Sequence, residues 1–282
     1  RDYYASRGLG DVYKRQGFLK VLKGSYMFEH AAEYGIVYHD KPPYEVMSTK
    51  WLSFDDVIKI KRVEDMLEVY YNSGQFEITM KLMECIFDSA FEFFQELGDF
   101  YEANGYFGMS HSRIRRCEIL LEFLALYLHC CDNDDITSVG LSENDGDRDD
   151  TDFDENAIDR DNTDFDENAQ IYSMIQESLI FDLYYRENCK SRPVWATDIG
   201  SFKHMTHAYC KNGKLSHVEP FHYIFPDKHT RKLDELPKYH KEPVWALFHY
   251  DMRDPLDHQA LVEYIVSVSY THLRAHETRS NL

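Results

Sequence analysis

Apolar residues recur at helical spacing through most of the middle of the chain. From Phe54, the positions Val57, Ile58, Val63, Met66, Leu67, Tyr70 and Tyr71 line one face until Asn72-Ser73-Gly74 stops the run. A second helix is predicted over Phe76–Phe87, and a third runs from about Ser89 to Ala103 before Asn104-Gly105. Ser110 or Ser112 can cap a fourth through Leu128, because a hydroxyl accepts from the unpaired N–H groups of a first turn. Within it Ile119–Leu128, ILLEFLALYL, is apolar almost all round, as expected of the central helix of a bundle. Helix resumes at about Gln170 and runs to Asn188, with Ile171, Met174, Ile175, Leu179 and Leu183 on one side; Arg192-Pro193 closes it. Thr197-Asp198 is placed to cap another helix that reaches Cys210 and stops at Asn212-Gly213.

The character then changes. Leu215–Phe225 and Val244–Tyr250 are rich in aromatic and β-branched residues and read as two strands, a hairpin-like pair with a long polar connection. Asp251–Pro255 turns the chain out of the second. At the other end, Phe18, Leu19, Val21 and Leu22 form a short apolar run that suits a strand opening into a loop at Gly24-Ser25. A short helix through Ala31-Ala32, capped at Gly35, precedes Lys41-Pro42-Pro43, which forces an extended passage. Tyr44–Met47 runs on as strand or linker, and Ser53-Phe54-Asp55-Asp56 restarts helix. The fold class is therefore mostly α: a multi-helix bundle with one strand before it and a small α+β element holding a strand pair after it.

Residues 17–50 read as a connector between domains, followed by a helical domain in two parts, 51–131 and 170–267. Between them, 132–169 is acidic and contains a tandem duplication, DRDDTDFDENA at Asp147–Ala157 and DRDNTDFDENA at Asp159–Ala169. It holds 16 acidic and 2 basic residues, so it carries −14 of the chain's net −19, and because it is too polar to build a core it is expected to be a disordered loop. The rest is only mildly acidic, which argues against a general nucleic-acid surface. Asp145, Asp147 and Asp149 alternate like the opening of a calcium loop. Asp150 and Asn156 stand where that loop needs Gly and Glu, so specific calcium binding is not expected. The ends have a different origin: Arg7–Gln16 and Val268–Thr278 can be back-translated into reverse-complementary strings matching a DNA-library adapter. Residues 1–16 and 268–282 are accordingly expected to be translated adapter and are set aside from fold reasoning.

Six cysteines (Cys85, Cys117, Cys130, Cys131, Cys189, Cys210) lack the density of a secreted disulfide scaffold and fit a reducing cytoplasm. They contain no CxxC or CxxxCxxC cluster. No apolar run approaches the ~18–20 residues a bilayer demands, so no membrane partner is expected.

Three constellations carry candidate chemistry. His111, Arg113, Arg115 and Arg116 form a compact basic cluster at a predicted helix start, where cations oppose the helix dipole; it is a candidate for binding an anion or acidic substrate. Salt bridges to surplus carboxylates are the structural alternative. Tyr70 and Tyr71 offer aromatic faces to a substrate pocket, or else core packing at a helix stop. His204, His207 and Cys210 form a mixed set that Zn²⁺ accepts, but Cys210 lies ~600° round from His204 at ~100° per residue, so no straight helix preforms the site.

The ordered segments VLKGS (21–25), YGIVYHDKPPYEV (34–46), STKWLSFDD (48–56), EVYYNSGQF (68–76), GYFGMSHSRIRR (105–116) and FHYDMRDPL (248–256) resemble the C-terminal part of cobalamin-binding radical SAM proteins, domain of unknown function 4080. Two departures are Tyr26, where the family tends to have Pro, and the acidic duplication. The resemblance implies a parent enzyme with cobalamin and radical SAM domains ahead of this helical tail. There S-adenosylmethionine, a four-iron four-sulfur cluster and cobalamin do the chemistry, and this stretch binds none of them itself. It further implies that Phe18–Leu22 is the last strand of the partial barrel, with Gly24 and Ser25 at its C-terminal end as candidate cofactor contacts. The implied role is non-catalytic, helping to shape or close the parent's active site. The alternative is a stand-alone helical module that binds a protein or RNA, and the substrate is left open.

Overall fold

A reciprocal cap starts the first long helix. The Ser53 hydroxyl accepts from the Asp56 N–H at 3.1 Å while the Asp56 carboxylate accepts from the Ser53 N–H at 3.0 Å, satisfying two donors that a helix start leaves unpaired. The computed structural model describes residues 18–128, 158–210, 215–226, 233, 235–255 and 257–265, with 158–166 and 199 described by backbone alone. The adapter-like ends, the alternating aspartates 145–149 and the first copy of the duplication lie outside the described residues.

The chain divides into two compact units after Asp65. In the first, α1 (Tyr26–Glu29) follows Gly24, and β1 (Val37–Tyr38) pairs antiparallel with β2 (Val46–Ser48). α2 (Phe54–Met66) closes the unit, and Lys61 on it binds Glu45 at 2.6 Å. The stretch expected to be a barrel strand is instead part of this small antiparallel arrangement. Lys20 bridges Glu45, the Val21 N–H donates to the Tyr44 carbonyl at 2.8 Å, and the Val46 N–H donates to the Leu19 carbonyl at 3.0 Å. The chain past Pro43 supplies the neighbour locally, and the described residues contain no barrel.

In the second unit a π-helical turn, Leu67–Asn72, precedes α3 (Glu77–Ile86), α4 (Ala90–Ala103) and α5 (Arg113–Tyr127). Ser89 caps α4 by accepting from the Glu92 N–H, and Ser112, rather than Ser110, caps α5 through the Arg115 N–H. α6 (Ile158–Arg186) is the longest element. It starts twelve residues before the expected Gln170 and takes in the second copy of the duplication, so the part of 132–169 from Ile158 on is helix and not disordered loop. A 3₁₀ turn at Ile199–Phe202 leads into α7 (Lys203–Tyr209), so the single helix expected from Thr197 to Cys210 is broken, and the Asp198 side chain makes no cap bond.

Three strands follow, where a pair was expected: β3 (Ser216–Tyr223), β4 (Tyr239–His249) and β5 (Leu261–Ile265), antiparallel in the order β3-β4-β5. Pro220 is tolerated because β3 is an edge strand. Phe221 faces Val244 and Tyr223 faces Tyr239, so the bulge His240–Pro243 stands opposite His222 alone. α6 packs on α3 and α5 on one side and on β3 on the other. Its Ile175 and Leu179 are fully buried, with Met174 and Leu183 nearly so. The described residues are thus mixed α and β, with one small antiparallel sheet in each unit, and within the second unit α6 packs between helices and sheet.

Candidate functional site

The residues singled out from sequence are mostly engaged in holding the fold. Gly24 takes φ +78°, a left-handed turn conformation, and the Ser25 hydroxyl accepts from the Phe28 N–H at 3.2 Å as the cap of α1. The basic cluster disperses. Arg113 donates to the backbone carbonyls of Gln75 and Asp182 and faces Glu187 at 3.5 Å. Arg115 turns along α5 to Glu122 at 2.7 Å and Glu118 at 3.2 Å, and donates to the Tyr106 hydroxyl. His111 Nε2 donates to the Tyr106 carbonyl at 2.8 Å. The backbone carbonyl of Arg116 accepts from the Tyr70 hydroxyl at 3.0 Å. The surplus carboxylates therefore absorb Arg113 and Arg115 separately.

The two tyrosines face different surroundings. Tyr70 is fully buried, its hydroxyl 2.7 Å from that of Tyr101, and burial raises its pKa well above the ordinary value. Tyr71 is exposed and lines a cavity of about 200 Å³ with Leu67, Met80, Met83 and Phe93. His204 sits edge-on to Trp245 at 6.2 Å, His207 is exposed, and burial pushes the Cys210 thiol up. Among the described residues no three His, Cys, Asp or Glu side chains gather as a metal site.

The polar groups that sequence reasoning missed line up along α6. Asp182 is almost fully enclosed and reaches the start of α3: its carboxylate accepts from the Ile78 N–H at 3.0 Å, the Thr79 N–H at 2.9 Å and the Thr79 hydroxyl at 2.8 Å. Thus a carboxylate on one helix caps another. Burial pushes Asp182 up to about 6 against those three hydrogen bonds, so desolvation outweighs the cap. The Ser178 hydroxyl, 2.9 Å from that of Thr79, completes the contact.

On the other side, Glu219 on β3 is buried and accepts both guanidinium nitrogens of Arg192. It also faces His217 Nε2, and the His217 ring stacks on Tyr184 of α6 with centroids 3.8 Å apart. Arg192 donates further to the Thr197 carbonyl, which ties the segment after α6 to the sheet. Nearer the middle of α6, the Glu177 carboxylate accepts from the His222 N–H at 2.7 Å and lies 2.8 Å from its Nδ1. Burial raises Glu177 while these bonds lower it, and the His222 ring stacks on Tyr239. A carboxylate held to Nδ1 orients the imidazole and leaves Nε2 as its working nitrogen. The signal available in sequence was the acid Asp182 inside the otherwise apolar run Leu179–Tyr185, with Glu177 one turn earlier.

These features define a class: a mixed α and β module whose central helix is clamped on both sides by buried carboxylates. The chain belongs to the family described as protein of unknown function (DUF4080), whose profile matches residues 32–263. No curated protein and no solved structure matches it. Among the described residues no helix is long and apolar enough to cross a membrane.

Proposed function

We propose that this chain is the C-terminal accessory region of a cobalamin-binding radical SAM enzyme and helps to shape or close its active site without supplying reactive groups. The observation that carries this reading is the family match over residues 32–263, which spans the ordered motifs from YGIVYHDKPPYEV to FHYDMRDPL. In such a parent the cluster, bound S-adenosylmethionine and cobalamin would supply the radical chemistry. Among the described residues the cysteines do not fit the iron–sulfur cluster. Cys117 is fully buried with its thiol pushed up to about 12, and burial also raises Cys189 and Cys210, whereas a cluster ligand is a thiolate. Cofactor ligation is accordingly assigned to the domains ahead of this chain in the parent, in a cytoplasmic protein. Gly24 is the point where a cofactor or substrate can meet backbone, since the space its Cβ would occupy is open.

The test is a long read of the source DNA upstream of the Gly17 codon. A reading frame that continues into a CxxxCxxC motif is the expected result. A start codon close to Gly17 would overturn the assignment and leave a stand-alone interaction module.

A further inference from the structure

A cavity of about 440 Å³ lies between the C-terminal half of α6, the Phe225-Pro226 exit from β3 and strand β5, beside the Met252–Asp254 turn. Small-molecule sites run ~300–1,000 Å³ and combine apolar and aromatic walls with a few placed polar groups. Here the walls include Phe181, Phe225 and Val262, with the rings of Phe181 and Phe225 5.3 Å apart. Phe225 is held in place because its N–H donates to the Tyr264 hydroxyl at 3.0 Å. Two polar groups remain partly unused. Gln259 lines the cavity and is only 8% exposed; its Nε2 donates to Glu77, and its Oε1 is buried with no partner. Arg253, also lining the cavity, lies over the Tyr250 ring and donates from Nη1 to the carbonyls of Arg186 and His258, which leaves Nε and Nη2 for another acceptor.

We infer that this cavity binds a small, flat, largely apolar carboxylate. The apolar body lies against Phe181, Phe225 and Val262, and the carboxylate meets the Arg253 guanidinium. Asp254 lines the same cavity and disfavours ligands with more than one negative charge. None of this depends on a parent enzyme, because every residue belongs to this chain.

The experiment is a titration of the full chain with indole-3-acetate, and with indole as the probe lacking a carboxylate, followed by saturation-transfer NMR and by the shifts of the Val262 and Tyr264 signals. Indole-3-acetate is expected to bind saturably and shift both signals, with indole about tenfold weaker, the size of one charge-assisted hydrogen bond. Val262→Trp, which fills the cavity from an edge strand that accepts aromatic residues, is expected to abolish binding while the circular dichroism spectrum is kept. Absence of saturable binding to the wild-type chain, equal binding of the two probes, or binding unaltered in a folded Val262→Trp chain would each overturn the inference.

Discussion

The two sides of α6 handle buried charge differently. On the helical side Asp182 is shut away from water and accepts only from the first turn of α3 and the Thr79 hydroxyl. On the sheet side Glu219 and Glu177 meet cationic or titratable partners, Arg192 with His217 and His222 respectively. The helical side therefore bears the cost of a carboxylate with no ion pair at its oxygens, visible as a pKa pushed up to about 6 by burial. The sheet side gives Glu219 a two-pronged bond from Arg192 and in return fixes the chain segment after α6, while Glu177, bonded to His222, is also raised by burial. One helix thus positions its neighbours by a neutral-donor cap on one face and by ion pairs on the other.

Removing the cap is the severest way to break this comparison. Asp182→Ala leaves two backbone N–H groups of α3 buried without acceptors and is expected to cost about 3–5 kcal/mol in urea unfolding. Glu219→Ala, which strands Arg192 beside His217, is expected to cost about 3 kcal/mol by the same measurement. The pH dependence sharpens the contrast. Asp182 moves from an ordinary 3.8 up to about 6, so the folded chain holds its proton over a range where the unfolded chain has lost it. Its contribution to stability is complete below about pH 4 and is lost as pH rises through about 6, a fall of about 2–3 kcal/mol. Urea midpoints between pH 4 and 7.5 should show that fall, and Asp182→Asn should flatten it; an equally steep fall in the variant would assign it elsewhere. Smallest is the local cap: Ser112→Ala is expected to lower stability by about 1 kcal/mol, and a change within error would show that the Arg115 N–H finds water instead.

The same two sides differ in how far they were legible from sequence. On the helical side the 3.6-residue period placed α3, α4 and α5, and Ser89 and the choice of Ser110 or Ser112 marked the starts of α4 and α5, because a cap is a contact between residues three apart. On the sheet side β5 went unread: Leu261–Ile265 is five residues long and becomes a strand only by pairing with Trp245–His249. Tyr239–Pro243 was likewise read as polar connection, since its bulge is defined by His222 on another strand. The Phe18–Leu22 run predicts a strand, yet it forms only an isolated bridge, Lys20 to Glu45, because its pairing comes from the short Tyr44–Val46 stretch and not from the neighbouring strands of a barrel. The candidate residues suffered most. Arg113, Arg115 and Tyr70 stand out as chemistry in a sequence, yet their partners Asp182, Glu122 and Tyr101 turn them into packing. Gln259 and Arg253 have no pattern that marks them, because the cavity they line joins three separated stretches.

The central claim is that α6 unites the helical and sheet sides into one cooperative core. Native-state hydrogen exchange on the wild-type chain and on Asp182→Ala tests it most directly, read at amides of α3 and, across α6, at Val218 and Phe248 of the sheet. The account predicts that protection at both sets falls by the same free energy, although the substitution touches only the helical side. Loss of protection confined to α3, with Val218 and Phe248 unchanged, would contradict it.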